Sequence, residues 1–427
     1  MSEPKLVVEH REALWFLLAE ASQLEHALMC EYLFAAFSLK HDESEGLTAE
    51  QAEAVARWRK VVLGVAVQEM LHLALASNLL AAIGGAPSFA RPPFPSRSRY
   101  FPPSVQLELV PFGERALRHF LFLERPEGME LADAEGFEPA GSAPAPMTEQ
   151  DVVPWGQDFS TVGHLYRGIE NGFKHLVERM GEKRVFLGPA RAQATAATFR
   201  WPELVTVTDL ASACTAVETI VEQGEGARGD WGDAHYGRFL RVLEEYQELK
   251  RLDPSFEPAR PVVPAVVRQP AGVDERLPLI DDPHTAQVVD AFNIAYEIVL
   301  QALTRFFTHT DETDEQLDIL ADVAVGMMYA VLEPLGELVT VLPAGPSHPG
   351  RTAGPSFELF YQMGNYIPWR DAAWSCLAER LDLLAVRCQE LSADAATPTG
   401  VATAGERVAS FAAKLRSGLA ATAGLAR

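Results

Sequence analysis

The stretch QEMLHLALASNLLAAIGGAP, residues 68–87, sets how the rest of the chain is read. Its apolar residues recur at three- and four-residue spacing and it stops at two glycines and a proline, the pattern of the C-terminal half of a buried helix. Within it stand Glu69 and His72. Side chains three apart on a helix diverge by only about 60°, so both reach one point beside it. Val65, Ala66, Leu73 and Ala76 lie on the same stripe, which puts the pair on the buried face. A carboxylate there is costly unless something offsets its charge, and a metal ion does so. A buried Glu–His hydrogen bond, or an exposed pair on a helix phased differently, are the alternatives. The helix begins near Thr48, a good N-cap residue with Gln51 at the reciprocal capping position.

Outward from this helix, residues 9 to about 40 form another, with Leu14, Leu17, Leu18, Leu24, Leu28 and Leu33 at helical spacing. Glu25 shares a face with Ala21, Leu28 and Tyr32, since seven residues make nearly two turns. Counted from the turn near Ser44, Glu25 and Glu69 stand level on antiparallel helices. Glu31 is a rival ligand, better placed as a solvated or supporting carboxylate. Residues 86–158 change character, with prolines at 92–93, 95, 102–103, 144 and 146 and one alternating run, SVQLELVPF, that reads as a strand. They are expected to be an insertion folded over the bundle, in which Phe94, Phe101, Trp155 and Phe159 could lid a pocket.

Helical pattern returns at 159–180, 209–223 and 233–251. Di-metal bundles take a Glu from each of two helices and Glu-x-x-His from the other two. Glu170 is the natural third-helix carboxylate, unless it is a surface Glu beside Arg167 and Lys174. On the fourth helix Glu218, Glu222 and Glu225 form a stripe with no His three residues on. A glycine-rich break, GEGARGDWGD, precedes His235 instead. A Glu-x-x-His site opened by an insertion, with Glu222 or Glu225 and His235, accounts for this pattern; a solvated acidic stripe is the alternative.

The expected architecture is all-α. A metal-binding four-helix bundle occupies 1–253 with its insertion at 86–158, a Pro-rich linker follows at 254–283, and a second helical bundle fills 284–427. Acidic residues number 59 against 36 Lys and Arg, a net charge of -23. Such a surface repels phosphate backbones and anionic membranes, so neither nucleic acid nor membrane is an expected partner. No uninterrupted apolar run has bilayer-spanning length, and the N-terminus lacks a signal-peptide core. The four cysteines form no CxxC pair and read as structural thiols in a cytoplasmic protein.

The segment EHALMCEY, residues 25–32, resembles the first helix of bacterioferritins and rubrerythrins, where a ligand Glu precedes a Tyr by seven residues. Glu69, His72, Gly85 and Pro87 resemble the second helix of bacterioferritins. Together with IVEQGEGA, the later His235-Tyr236 and TAGPSFE, these segments resemble a ferritin-like family. It includes the C-terminal part of the violacein-pathway iminophenylpyruvate dimer synthase and the chromopyrrolate synthases. That resemblance implies metal ligands at Glu25, Glu69, His72, Glu222 and His235, while Glu170 rests on bundle logic. It further implies oxidative chemistry in bacterial secondary metabolism.

The function expected is that of a non-haem diiron oxidase or oxygenase, with manganese possible, acting on a small molecule such as an amino acid or aromatic derivative. Dioxygen is the co-substrate, Tyr32 assists beside the metals, an external reductant is possible, and so is a homo-oligomer. The other readings are a non-catalytic iron-binding or storage protein and a helical interaction module.

Overall fold

The computed structural model describes residues 6–97, 105–137, 157, 159–226, 230–269, 276–359 and 367–423. The chain divides into two compact units, one of Met1–Ala196 with Trp201–Ala259 and the other of Ala197–Arg200 with Arg260–Arg427. The expected linker therefore splits: 254–259 falls in the first unit and 260–283 in the second.

In the first unit α1 (Arg11–Ser38) and α2 (Ala49–Ala82) form a long antiparallel pair. Thr48 and Gln51 make the reciprocal cap that starts α2. Near that end Trp58 is fully buried, stacked on Phe112 at 5.6 Å between centroids and flanked by Tyr246 and Phe256. Ser96–Arg97 and Gln106–Leu107 form a two-residue antiparallel ladder, all that the alternating run builds among the described residues.

A helix follows inside the supposed insertion, α3 (Glu114–Leu123), whose Ala116, Leu117, Phe120 and Leu121 are buried. Then come α4 (Val162–Met180), the short α5 (Glu182–Val185), α7 (Leu210–Gly224) and α8 (His235–Leu252), while the one-turn α6 (Ala196–Phe199) falls almost wholly in the second unit. Helix α4 packs on α1 and α7, and α7 on α2; α8 packs on α2 and α3. The bundle is thus α1, α2, α4 and a fourth column broken into α7 and α8. Glycine makes the break possible: Gly226 has φ +86°, and a Cβ on it would lie 2.6 Å from the Asp230 carbonyl oxygen.

The second unit is built from α9 (Pro283–Phe307), α10 (Asp314–Met327), α11 (Glu333–Val339), α12 (Arg370–Ser392) and α13 (Gly400–Ala423). A single π turn, Met328–Leu332, joins α10 to α11. Pro334 explains it, because a proline in the first turn cannot donate back to the preceding helix. Residues 262–266 run extended, with bridges to Thr352 and Leu279, so this stretch is tied into the unit's own backbone hydrogen bonds.

Two helical stretches, Ala49–Ala82 and Asp314–Val339, are long and apolar enough to pass a composition test for membrane spans, with 67% and 44% of their apolar windows buried in the fold. Cys30 and Cys388 are buried, Cys214 is half-buried, Cys376 is exposed, and none is disulfide-bonded.

Candidate metal centre

Two groups of three side chains converge in the first unit and share one member. Glu25, Glu69 and His72 make the first; Glu69, Glu124 and His235 make the second. All five are at least 97% buried. Nδ1 of His72 lies 3.1 Å from Glu69 Oε2 and 3.6 Å from Glu25 Oε2. Nδ1 of His235 lies 2.9 Å from Glu69 Oε1 and 3.5 Å from Glu124 Oε2. Each oxygen of Glu69 thus faces a different imidazole, and the two rings are 5.4 Å apart between centroids.

Both imidazoles are turned the same way. His72 Nε2–H donates to Gln223 Oε1 at 3.1 Å, and His235 Nε2–H to Gln68 Oε1 at 3.3 Å. Arg238 Nη1 also donates to Gln68 Oε1, at 2.6 Å, which holds that amide in place. A proton on Nε2 leaves the Nδ1 lone pair aimed at the carboxylates, the tautomer a ligating histidine needs.

A cation fits this donor set. Both oxygens of Glu25 and Nδ1 of His235 are buried with no hydrogen-bond partner among the described residues, an arrangement that costs free energy unless something satisfies it. Three carboxylates and two imidazoles suit iron or manganese. Without an ion the charges are balanced by protons. Burial, then the neighbouring Glu69 carboxylate, pushes Glu25 up to about 8. Burial opposes the charge of Glu69, yet His72 and His235 together hold its carboxyl well below the usual range. Burial also opposes charge on the two imidazoles, but Glu69 beside His72 and Glu124 beside His235 raise them. Metal loading would displace those protons.

Around the centre, the Tyr32 hydroxyl donates to Glu124 Oε1, and its ring packs on Phe120 and Phe239 at 4.7 and 5.2 Å. Burial, then the Glu124 carboxylate, raises the Tyr32 phenol well above its ordinary value. Tyr166 on α4 is fully buried, and burial followed by the Glu25 carboxylate raises it likewise.

The structure brings Glu25, Tyr32, Glu69, His72 and His235 together. It does not bring in Glu170, which is half-buried and pairs with Lys174 at 2.7 Å, while Tyr166 one turn earlier is fully buried. Nor does it bring in Glu222, which is exposed. A helix turns about 100° per residue, so the neighbouring Gln223 is the one that meets His72. Glu225 is buried elsewhere, accepting from the backbone N–H of Gly163 at 2.7 Å and Glu127 at 3.0 Å. Glu31, expected to be solvated or supporting, is wholly buried on another side of α1.

Sequence reasoning missed Glu124. It follows directly on α3, where the helix C-terminus disfavours a carboxylate and burial disfavours it further. Burial and the nearby Glu69 raise its pKa, against the opposing pull of His235. The available signal was the helical spacing of Ala116, Leu117, Phe120 and Leu121, running into Glu124 just before Pro126. Of the expected lid, Phe94 and Phe159 are buried; Phe101 and Trp155 lie outside the described residues.

A buried helix pair carrying Glu and Glu-x-x-His, completed by a further Glu and His from other helices, has the donor types of the di-metal carboxylate bundles. The ferritin-like family profile matches residues 18–244. The chain belongs to the ferritin-like family. It is 29% identical over 394 residues to a dichlorochromopyrrolate synthase of Lentzea aerocolonigenes, covering 85% of this chain and 37% of that protein. It is 26% identical over 402 residues to a 2-imino-3-(indol-3-yl)propanoate dimerase of Chromobacterium violaceum, covering 90% of this chain and 37% of that one. The chain therefore spans little more than a third of the length of these relatives. A ferritin-like protein from Caulobacter vibrioides, known from its crystal structure, aligns with a TM-score of 0.46 at 20% identity, over 76% of this chain and 98% of that one.

Proposed function

We infer that this chain is an oxygen-dependent oxidoreductase with a two-metal centre, most simply diiron, acting on a small amino-acid-derived or aromatic molecule in bacterial secondary metabolism. The observation that carries the reading is Glu69, whose two oxygens face two histidines in two overlapping groups of buried donors. Glu25, Glu69 and His72 would hold one ion; Glu69, Glu124 and His235 would hold the other. Iron held by these residues, or manganese in its place, would supply the electrons for dioxygen chemistry, with an external reductant as the electron source.

The rest is work for the protein's own residues. Gln223 and Gln68 keep both imidazoles in the ligating tautomer. The hydroxyl of Tyr32 donates its proton to a hydrogen bond with Glu124 Oε1, leaving the other oxygen of that carboxylate to face His235. Phe120 and Phe239 pack against that ring and exclude water from it. The substrate class is suggested by the relatives, one of which is named for an indole-bearing imino acid.

The test is metal loading followed by oxygen consumption. Anaerobic protein given ferrous iron should bind two equivalents at this centre and consume oxygen when exposed to it. Glu69→Ala should lose both equivalents, whereas Glu25→Gln should lose one. Full iron retention by a folded Glu69→Ala protein, or no oxygen uptake by the iron-loaded wild type, would sink the proposal.

A further inference from the structure

A second buried polar cluster lies on another side of α1, built from Glu31, His119 on α3 and Asp133. His119 Nδ1–H donates to Asp133 Oδ1 at 2.8 Å, and its ring stacks on Phe137 with centroids 3.8 Å apart and planes at 13°. Orientation and tautomer are therefore fixed, leaving a lone pair on Nε2. That lone pair faces Glu31 Oε2 at 3.7 Å, too far for a hydrogen bond. The other oxygen of Glu31 accepts from Glu108 N at 2.6 Å, so the carboxylate cannot simply swing round. His119 and Glu31 are 0% exposed and the Asp133 side chain 1%. Glu31 Oε2, His119 Nε2 and Asp133 Oδ2 all lack a hydrogen-bond partner among the described residues.

Two acceptor atoms held opposite one another and shielded from bulk solvent repel unless a cation or a proton stands between them. We propose that Glu31 and His119 bind one divalent metal ion at a site separate from the Glu69 centre, with Asp133 orienting the imidazole. Donors each about 2.1 Å from an ion at the tetrahedral angle stand about 3.4 Å apart, close to the spacing seen here. A carboxylate behind the imidazole is the usual support for a ligating histidine. Glu108 and Asp133 add negative charge around Glu31, partly offset by Arg91. Water would supply the remaining positions. A mixed imidazole–carboxylate pair suits zinc, manganese or ferrous iron. The site couples α1 to α3, the elements that also carry Tyr32 and lead into Glu124, so an ion here would brace the wall of the first centre.

The experiment is a cobalt(II) titration of the full chain, read by equilibrium metal content and visible absorption. Glu31→Gln keeps the side chain's size and its acceptor for Glu108 N, and His119→Gln is the second variant. Wild type is expected to bind one equivalent more than either variant, and Glu69→Ala to retain that equivalent with its absorption band. The difference between wild type and Glu31→Gln does not depend on how many ions the Glu69 centre takes, so failure of the two readings is distinguishable. Should one variant fail to fold, as judged by circular dichroism in chelator, the other and the Glu69→Ala titration carry the test. Equal cobalt content in wild type and a folded variant, or none in folded Glu69→Ala, overturns the proposal.

Discussion

Gln223 illustrates how much one residue of helical phase decides. Its amide oxygen receives His72 Nε2–H, while Glu222, one step along, is exposed. Removing a hydrogen bond behind a ligating histidine typically weakens metal binding about 10- to 100-fold. Gln223→Ala is therefore expected to lower metal affinity by that order without changing the number of ions bound. Glu222→Ala is expected to change neither, and competition with a chelator of known affinity measures both. At this scale Glu69 and His72 were legible because they share one helix and one apolar stripe. Glu124 was not, because nothing near it in sequence reports that Tyr32 and His235 will meet it.

At the scale of elements, the centre depends on how α4, α7 and α8 are joined. Glu225, just past the end of α7, places its carboxylate on the N-terminal backbone of α4. Unpaired N–H groups and the helix dipole favour an anion there. Gly163 allows this approach, since a Cβ on it would lie 2.3 Å from Glu225 Oε1. Gly163→Ala should displace the carboxylate and cost about 1–3 kcal/mol, the usual range for overpacking; thermal or urea melts measure it, and a change within error would refute the role given to the contact. The proline-rich composition of 86–158 pointed to a loop laid over the bundle. Helix α3 emerges there because its apolar face is buried, with α8 as its partner, a tertiary gain that composition does not display.

For the whole molecule, each unit has its own buried polar keystone as well as its own core. In the second, Arg305 makes two bonds to Glu312, at 2.5 and 2.7 Å, and Trp374 Nε1 donates to the same carboxylate at 3.1 Å. Breaking such a pair on one side leaves a buried charge, so Arg305→Ala should cost about 3–5 kcal/mol, read from that unit's unfolding transition. Burial opposes the charge on Glu312, but Arg305 and the Thr310 N–H outweigh it and lower its pKa from 4.5. Its folded value lies below the unfolded one, so its contribution to stability is complete above about 4.5 and is lost as pH falls through the folded value. Glu312→Gln should flatten that part of the acid-stability curve, and an unchanged curve would remove Glu312 as its source.

What the sequence determined by itself is whatever repeats along one helix: the long helices, the Thr48 cap, and the Glu25, Glu69 and His72 positions on faces that must be buried. Tertiary structure alone decided which groups close the centre. It placed Glu124 at the end of an unsuspected helix, brought His235 onto Glu69, turned Gln223 and not Glu222 to His72, and paired Glu170 with Lys174. The physical reason is that helical periodicity fixes the direction of a side chain relative to its own axis. The rotation and offset of one helix against another are fixed only by packing.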